Sequence, residues 1–168
     1  MEEEKATVPE NEKSQLSFPL DLNSSRIIER LIQALKWPRS LWKNRGFITL
    51  IPVTDKDTAI TVGDGKQIWT VPEELDGTLI QSVAGYVTTV SASGGPILVQ
   101  LRNITDSVDI LSTRINIDDS EFNSYDAATQ PVINFTNAQL TKGDRIAVDV
   151  DDAGDGAAKG LTIKVSAQ

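Results

Sequence analysis

Residues 78–103 read TLIQSVAGYVTTVSASGGPILVQLRN. Two runs rich in Val, Ile, Leu and Thr flank a Ser-Gly-Gly break. In the second run Ile97, Val99 and Leu101 alternate with other residues, the period of a strand with one buried face. The Ser93-Gly94-Gly95 break supplies turn conformations that β-branched residues avoid. The same grammar continues in both directions. Candidate strands are 47–53 (FITLIPV), 59–62 (AITV), 66–71 (KQIWTV), 78–91, 97–103, 109–117 (DILSTRINI), 131–135 (PVINF), 145–150 (RIAVDV) and 161–166 (LTIKVS). Between them stand Gly63-Asp64-Gly65, Asp76-Gly77 and Lys142-Gly143-Asp144, all turn chemistry. Eight or nine short strands at this spacing predict an all-β domain, an antiparallel sandwich or barrel with a jelly roll as the leading candidate.

The composition removes whole classes of chemistry. The 168 residues include no Cys and no His. Disulfides, thiolate nucleophiles and zinc-thiolate sites are therefore impossible, and so is any Ser-His-Asp or Cys-His arrangement. Carboxylates, Lys and a hard metal ion remain as chemical options. No stretch reaches the roughly 20 apolar residues of a membrane span. The first residues, MEEEKATVPENEK, are acidic and polar, the opposite of a secretory signal peptide. This predicts a soluble protein made or assembled in the cytoplasm.

Charge divides the chain into three segments. Residues 1–22 carry six acids against two bases, net −4; residues 23–46 carry six bases against one acid, net +5; residues 47–168 carry 17 acids against eight bases, net −9. The first segment has almost no apolar patterning before LSFPLDL and is predicted to be an extended arm, unable alone to offset its ordering entropy. The second opens with the N-cap candidates Asn23, Ser24 and Ser25. Ile27, Ile28, Leu31, Ile32 and Leu35 then form one apolar stripe, with Arg26, Glu29, Arg30, Gln33 and Lys36 on the opposite face. Pro38 ends the pattern, so an amphipathic helix is predicted over about residues 24–37. The turn that follows, PRSLWKNRG, adds Trp42, Arg39 and Arg45. Two readings of the stripe are open: it packs on the chain's own β domain, or it docks on another subunit or a second copy. The acidic segments on both sides oppose a membrane-surface role and a nucleic-acid role. Residues 1–46 thus read as an anchoring region and 47–168 as the β domain.

The stretch DVDDAGDGAAKG, residues 149–160, has the look of a metal loop. Read as an EF-hand from Asp149, it has Ala153 at position 5 and Gly160 at position 12, so the bidentate Glu is missing. A non-EF calcium site from Asp151, Asp152 and Asp155 is an option; the plainer reading is a strand connection whose Asp and Gly supply turns. The same holds for NIDDSE at 116–121, where Asp118 and Asp119 are adjacent and would point to opposite faces of a strand.

Residues 61–103, TVGDGKQIWTVPEELDGTLIQSVAGYVTTVSASGGPILVQLRN, resemble the β-sandwich domains of tailed-bacteriophage virion proteins. The matching positions are Gly63, Gly65, Trp69, Val71, Pro72, Gly77, Leu79, Ile80, Val83, Ala84, Gly94, Gly95 and Val99 to Leu101. INIDDSEFNSYDAATQPVI (115–133) and LTKGDRIAVDVDDAGDGAAKGLTIKVSAQ (140–168) resemble the later part of the pattern, and within it residues 149–160 look like the last hairpin connection. The resemblance covers about residues 47–168. It implies a jelly-roll-like sandwich without catalytic residues, cofactor or metal. It also implies a virion location after assembly in the host bacterial cytoplasm.

The implied function is a non-enzymatic capsid decoration or cement protein, or a head fibre. Its partner would be the major capsid protein or another virion protein, and homo-oligomers, trimers above all, suit the family. The anchoring contacts would then be Ile28, Leu31, Ile32, Leu35, Trp37 and Trp42, with Arg26, Arg30, Arg39 and Arg45 matching an acidic surface. The alternative is a tail or neck fibre module that binds a host-surface glycan, for which the β segment offers Phe47, Trp69, Tyr86, Phe122, Tyr125 and Phe135. A carboxylate glycosidase would need two acids converging from neighbouring strands; most acids here lie in turns.

Overall fold

A computed structural model describes residues 46–168. The anchoring helix expected over 24–37, and all ten residues assigned to anchoring, lie outside the described residues.

The described chain is all-β, apart from one 3-10 turn at Glu73–Leu75. Its ten strands are β1 (Phe47–Pro52), β2 (Gly63–Thr70), β3 (Ile80–Tyr86), β4 (Ile97–Asn103), β5 (Val108–Asp109), β6 (Leu111–Thr113), β7 (Ile115–Ile117), β8 (Val132–Ile133), β9 (Arg145–Ala153) and β10 (Thr162–Ala167). Every pairing is antiparallel. A three-stranded sheet runs β1-β10-β3 and a five-stranded sheet runs β2-β9-β4-β5, with β7 also on β4; β6 and β8 pair separately.

Alternation along the strands builds one shared core. Ile51, Val83, Ile163 and Val165 come from the first sheet; Ile97, Val99, Leu101, Ile146, Val148 and Val150 come from the second. The sheets approach closely where Gly85 of β3 meets β7: a Cβ on Gly85 would fall 3.0 Å from both Ile115 Cγ2 and Ile117 Cδ1. Glycine there is the absence of a side chain where packing density leaves no room for one.

Several expected elements come out differently. Residues 59–62 form no strand, because their pairing is limited to the Ala59–Lys159 bridge and the bond from Ile60 N–H to Ala158 O. The 78–91 run is a strand only over 80–86, and 131–135 shrinks to two residues. The run 109–117 breaks into three pieces, and Gln100 explains how. Its buried side chain accepts from Leu111 N–H and donates to Leu111 O at 3.0 Å, standing in for a backbone partner. Leu111–Thr113 then pairs with β8 instead of β4. Gly63-Asp64-Gly65 is not a turn between strands but a bulge within β2: pairing jumps from Gly63↔Val150 to Gln67↔Val148, and Gly65 takes φ +60° at its crest. Finally, residues 149–160 are no hairpin. β9 belongs to the five-stranded sheet and β10 to the three-stranded one, so the connection passes from one sheet to the other.

Candidate interaction surface

The aspartates of residues 149–160 are already occupied. Asp149, 4% exposed, accepts from Arg102 Nε at 2.7 Å and from Gly65 N–H at 2.6 Å. Asp151 pairs with Arg114. Asp152 accepts from Gly154 N–H, and Asp155 accepts from Ala92 N–H and Ala157 N–H, each at 2.9 to 3.0 Å. Each carboxylate thus faces a different donor. Among the described residues no three acidic side chains converge as a metal site would require. The backbone donors on Asp155 hold its carboxyl below the usual range. Arg102, bonded to Asp149, is raised above its ordinary value. Asp118 and Asp119 also diverge. Asp118 takes Asn116 Nδ2 and Ala128 N–H; Asp119 takes Ser91 Oγ and Gly95 N–H.

A cleft of about 410 Å³ lies between the end of β1, residues 54–61 and β2. Among the described residues Asp55 is the one acid in its wall, so those residues bring no carboxylate pair of the glycosidase kind to it.

A cluster of aromatic and charged side chains lies elsewhere on the surface. Both tyrosines of the chain meet there: Tyr86 at the end of β3 and Tyr125 in the 118–131 loop are 2.8 Å apart at their hydroxyls, with rings edge to face at 5.9 Å. Lys164 of β10 lies 3.2 Å from the Tyr125 hydroxyl and 5.9 Å from its ring centre. Tyr125 is half exposed and Phe122, in the same loop, is 59% exposed.

The loop is held firmly. Val87 N–H donates to Phe122 O, Ser124 N–H donates to Gly85 O, and Gly85 N–H donates to Ser124 Oγ, so residues 122–124 close one edge of β3. Gln130 Nε2 lies within bonding distance of the carbonyls of Ser124, Tyr125 and Ala127, tying the loop to itself.

Hydrogen bonding separates the two phenols. The bond to Tyr125 is the main cause that pushes Tyr86 up to about 12, with burial adding to it. Tyr125 is lowered by the bonds from Tyr86 and Lys164. Tyr125 is therefore the phenol that ionises first. Aromatic edges, a phenol pair and one ammonium form a surface suited to recognition: apolar contact with a polar address.

Of the aromatics offered for a glycan, Trp69 packs against the core, as its place in a strand suggests, and so does Phe47; Phe122, Tyr125 and Phe135 are exposed. Sequence reading named Tyr86 and Tyr125 as candidates without pairing them, and it missed Lys164. These three residues are 39 positions or more apart and meet through register: Thr162 of β10 sits opposite Tyr86.

No family model matches the chain, and no curated protein or solved structure matches it either.

Proposed function

We propose that this chain is a non-enzymatic structural protein of a tailed-bacteriophage particle. In this reading it is a capsid decoration or cement protein, or a head fibre. The three- and five-stranded sheets are the layers of a jelly-roll-like sandwich, and residues 1–46 tie it to the major capsid protein or a neighbouring subunit. The stripe Ile28, Leu31, Ile32, Leu35 with Trp37 and Trp42 makes the apolar contact; Arg26, Arg30, Arg39 and Arg45 face an acidic surface. The observation that carries the reading is the use made of the carboxylates. In an acidic domain whose glycine and aspartate spacing resembles virion sandwiches, Asp118, Asp119, Asp149, Asp152 and Asp155 all brace loops or strands. They maintain a scaffold rather than converge on a substrate.

The deciding experiment is the copy number of the chain per purified particle, by quantitative mass spectrometry. Hundreds of copies in ratio to the major capsid protein support a decoration protein. About a dozen or fewer move it to the neck, a vertex or the tail. Absence from the particle sinks the reading. Within a particle that carries it, Leu31→Asp combined with Ile32→Asp should abolish incorporation.

The second reading, a tail or neck fibre module that binds a host-surface glycan, is favoured by Tyr125, Phe122 and Lys164. The exposed Tyr125 ring beside the Lys164 ammonium and the Tyr86 phenol, with Phe122 exposed in the same loop, suits a sugar face bearing a negative group. Binding on a glycan array that Tyr125→Ala removes would support it; silence across the array would count against it.

A further inference from the structure

The two outer edges of the three-stranded sheet are treated differently. The β3 edge is covered by residues 122–124 of the same chain. The β1 edge pairs with nothing among the described residues. Its geometry follows from the ladder on its other side. Val53 N–H donates to Leu161 O, and the register continues through Ile51↔Ile163, Thr49↔Val165 and Phe47↔Ala167. Backbone groups alternate in an antiparallel ladder, so those of Phe47, Thr49 and Ile51 turn to β10. Those of Ile48 and Leu50, with the carbonyl of Pro52, turn outward. The side chains of Ile48 and Leu50 are 67% and 61% exposed. The strand, FITLIP, holds no charge. Edges are ordinarily guarded by charged residues, bulges or proline, and here Pro52 guards one end only.

We propose that this edge joins two copies of the chain, β1 against β1, antiparallel about a two-fold axis at Thr49. In that register Ile48 of one copy lies opposite the partner's Leu50, and Leu50 opposite the partner's Ile48. Both pairs are of the hydrogen-bonded kind, so the outward N–H and C=O groups of all four residues are satisfied. The four exposed side chains become neighbours on one face. The occupant is a second copy because the strip is its own complement: its two large residues stand symmetrically about Thr49, as an isologous contact requires. The strand carries no charge, so the net −9 of each β domain is not concentrated at the join. Two three-stranded sheets become one of six strands. Two side chains per copy bury far less than the roughly 1,200–2,000 Å² of a standard interface. The pairing is therefore weak in dilute solution and strengthens when copies are crowded. It holds whether or not the phage reading does, because it rests on the edge alone.

The test uses the full chain. Sedimentation equilibrium should show even-numbered assembly growing with concentration and with salt, as screening relieves the repulsion between acidic domains. Leu50→Lys, at an exposed position, should keep the melting temperature and weaken association by about ten-fold or more. Thr49→Cys tests the register. The two Thr49 would form a non-hydrogen-bonded pair with Cα atoms about 4.5 Å apart, within the range a disulfide spans. The chain has no other cysteine, so mild oxidation should give a covalent dimer. Ser166→Cys, one strand inward, should not. A monomer at every concentration, an assembly indifferent to Leu50→Lys, or a Thr49→Cys chain that stays unlinked overturns the proposal.

Discussion

Asp149 and Arg102 meet diagonally across β9 and β4, Oδ2 to Nε at 2.7 Å, while the other carboxylate oxygen takes the N–H of Gly65 from the bulge in β2. One side chain thus fastens three adjacent strands. Asp149→Ala strands the Gly65 N–H and removes the nearer partner of Arg102, leaving Asp64 at 3.8 Å. Arg102 is one-third exposed and water recovers part of the loss. The expected cost is about 1–3 kcal/mol in urea unfolding. Asp151→Ala breaks the more exposed pair with Arg114 and should cost below about 1 kcal/mol. Equal costs would refute this ranking.

Calcium should leave the domain unmoved. A ligand that binds only the folded state at 100 times its Kd adds about 2.7 kcal/mol. Because Asp149, Asp151, Asp152 and Asp155 each serve a separate donor, millimolar calcium or a chelator should not shift the thermal midpoint. A calcium-dependent rise would restore the metal reading of residues 149–160.

Asp155 sets an acid limit for the contact between residues 91–95 and 153–157. Its folded-state carboxyl titrates below the ordinary value, chiefly because Ala157 and Ala92 N–H groups donate to it. The stabilisation is therefore whole above the unfolded pKa of about 4 and is lost as pH falls through the lower folded value. The protection of the Ala92 and Ala157 amides against exchange, relative to their intrinsic rates, should be constant from neutral pH to about 4 and fall below it. Asp155→Asn should remove that acid step.

Gly160 and Gly156 make a controlled pair. Both have positive φ, +69° and +73°. A Cβ on Gly160 would fall 2.2 Å from Thr88 Oγ1, which is held 2.8 Å from Lys56 O and 3.0 Å from Lys159 O; a Cβ on Gly156 meets nothing within 4 Å. Gly156→Ala should cost about 1 kcal/mol, for the left-handed backbone. Gly160→Ala should cost about 2 kcal/mol more, for the clash. Similar melting temperatures for the two variants would show that Thr88 yields.

The tyrosine pair should titrate in two steps by ultraviolet absorbance, Tyr125 below its usual value and Tyr86 near 12. Tyr86 keeps its proton longer in the folded state than in the unfolded one. Its stabilisation is thus full below about pH 10 and is lost as pH rises towards 12. Tyr125→Phe removes the largest cause of the rise, so the Tyr86 midpoint should fall towards 10. A midpoint that stays near 12 would assign the shift to burial.

The sequence by itself determined the all-β class and most of the strands, because alternation such as Ile97-Val99-Leu101 is local and survives any tertiary arrangement. The EF-hand spacing of residues 149–160 also fails at named positions, but the reading of that stretch as a turn-forming connection holds only from Gly154 onward, because Asp149, Asp151 and Asp152 lie within β9. Only the tertiary structure decided what depends on partners distant in the chain. Gln100 splits the 109–117 run from 11 residues away. Asp149 turns Gly63-Asp64-Gly65 into a bulge from 84 residues away. The connection after β9 crosses between sheets, and Tyr86, Tyr125 and Lys164 converge on one face. Strand order and register are settled by which apolar faces bury each other, and that competition runs over the whole chain at once. A strand's own residues show that it has a buried face, whereas the neighbours it will meet there are chosen by packing.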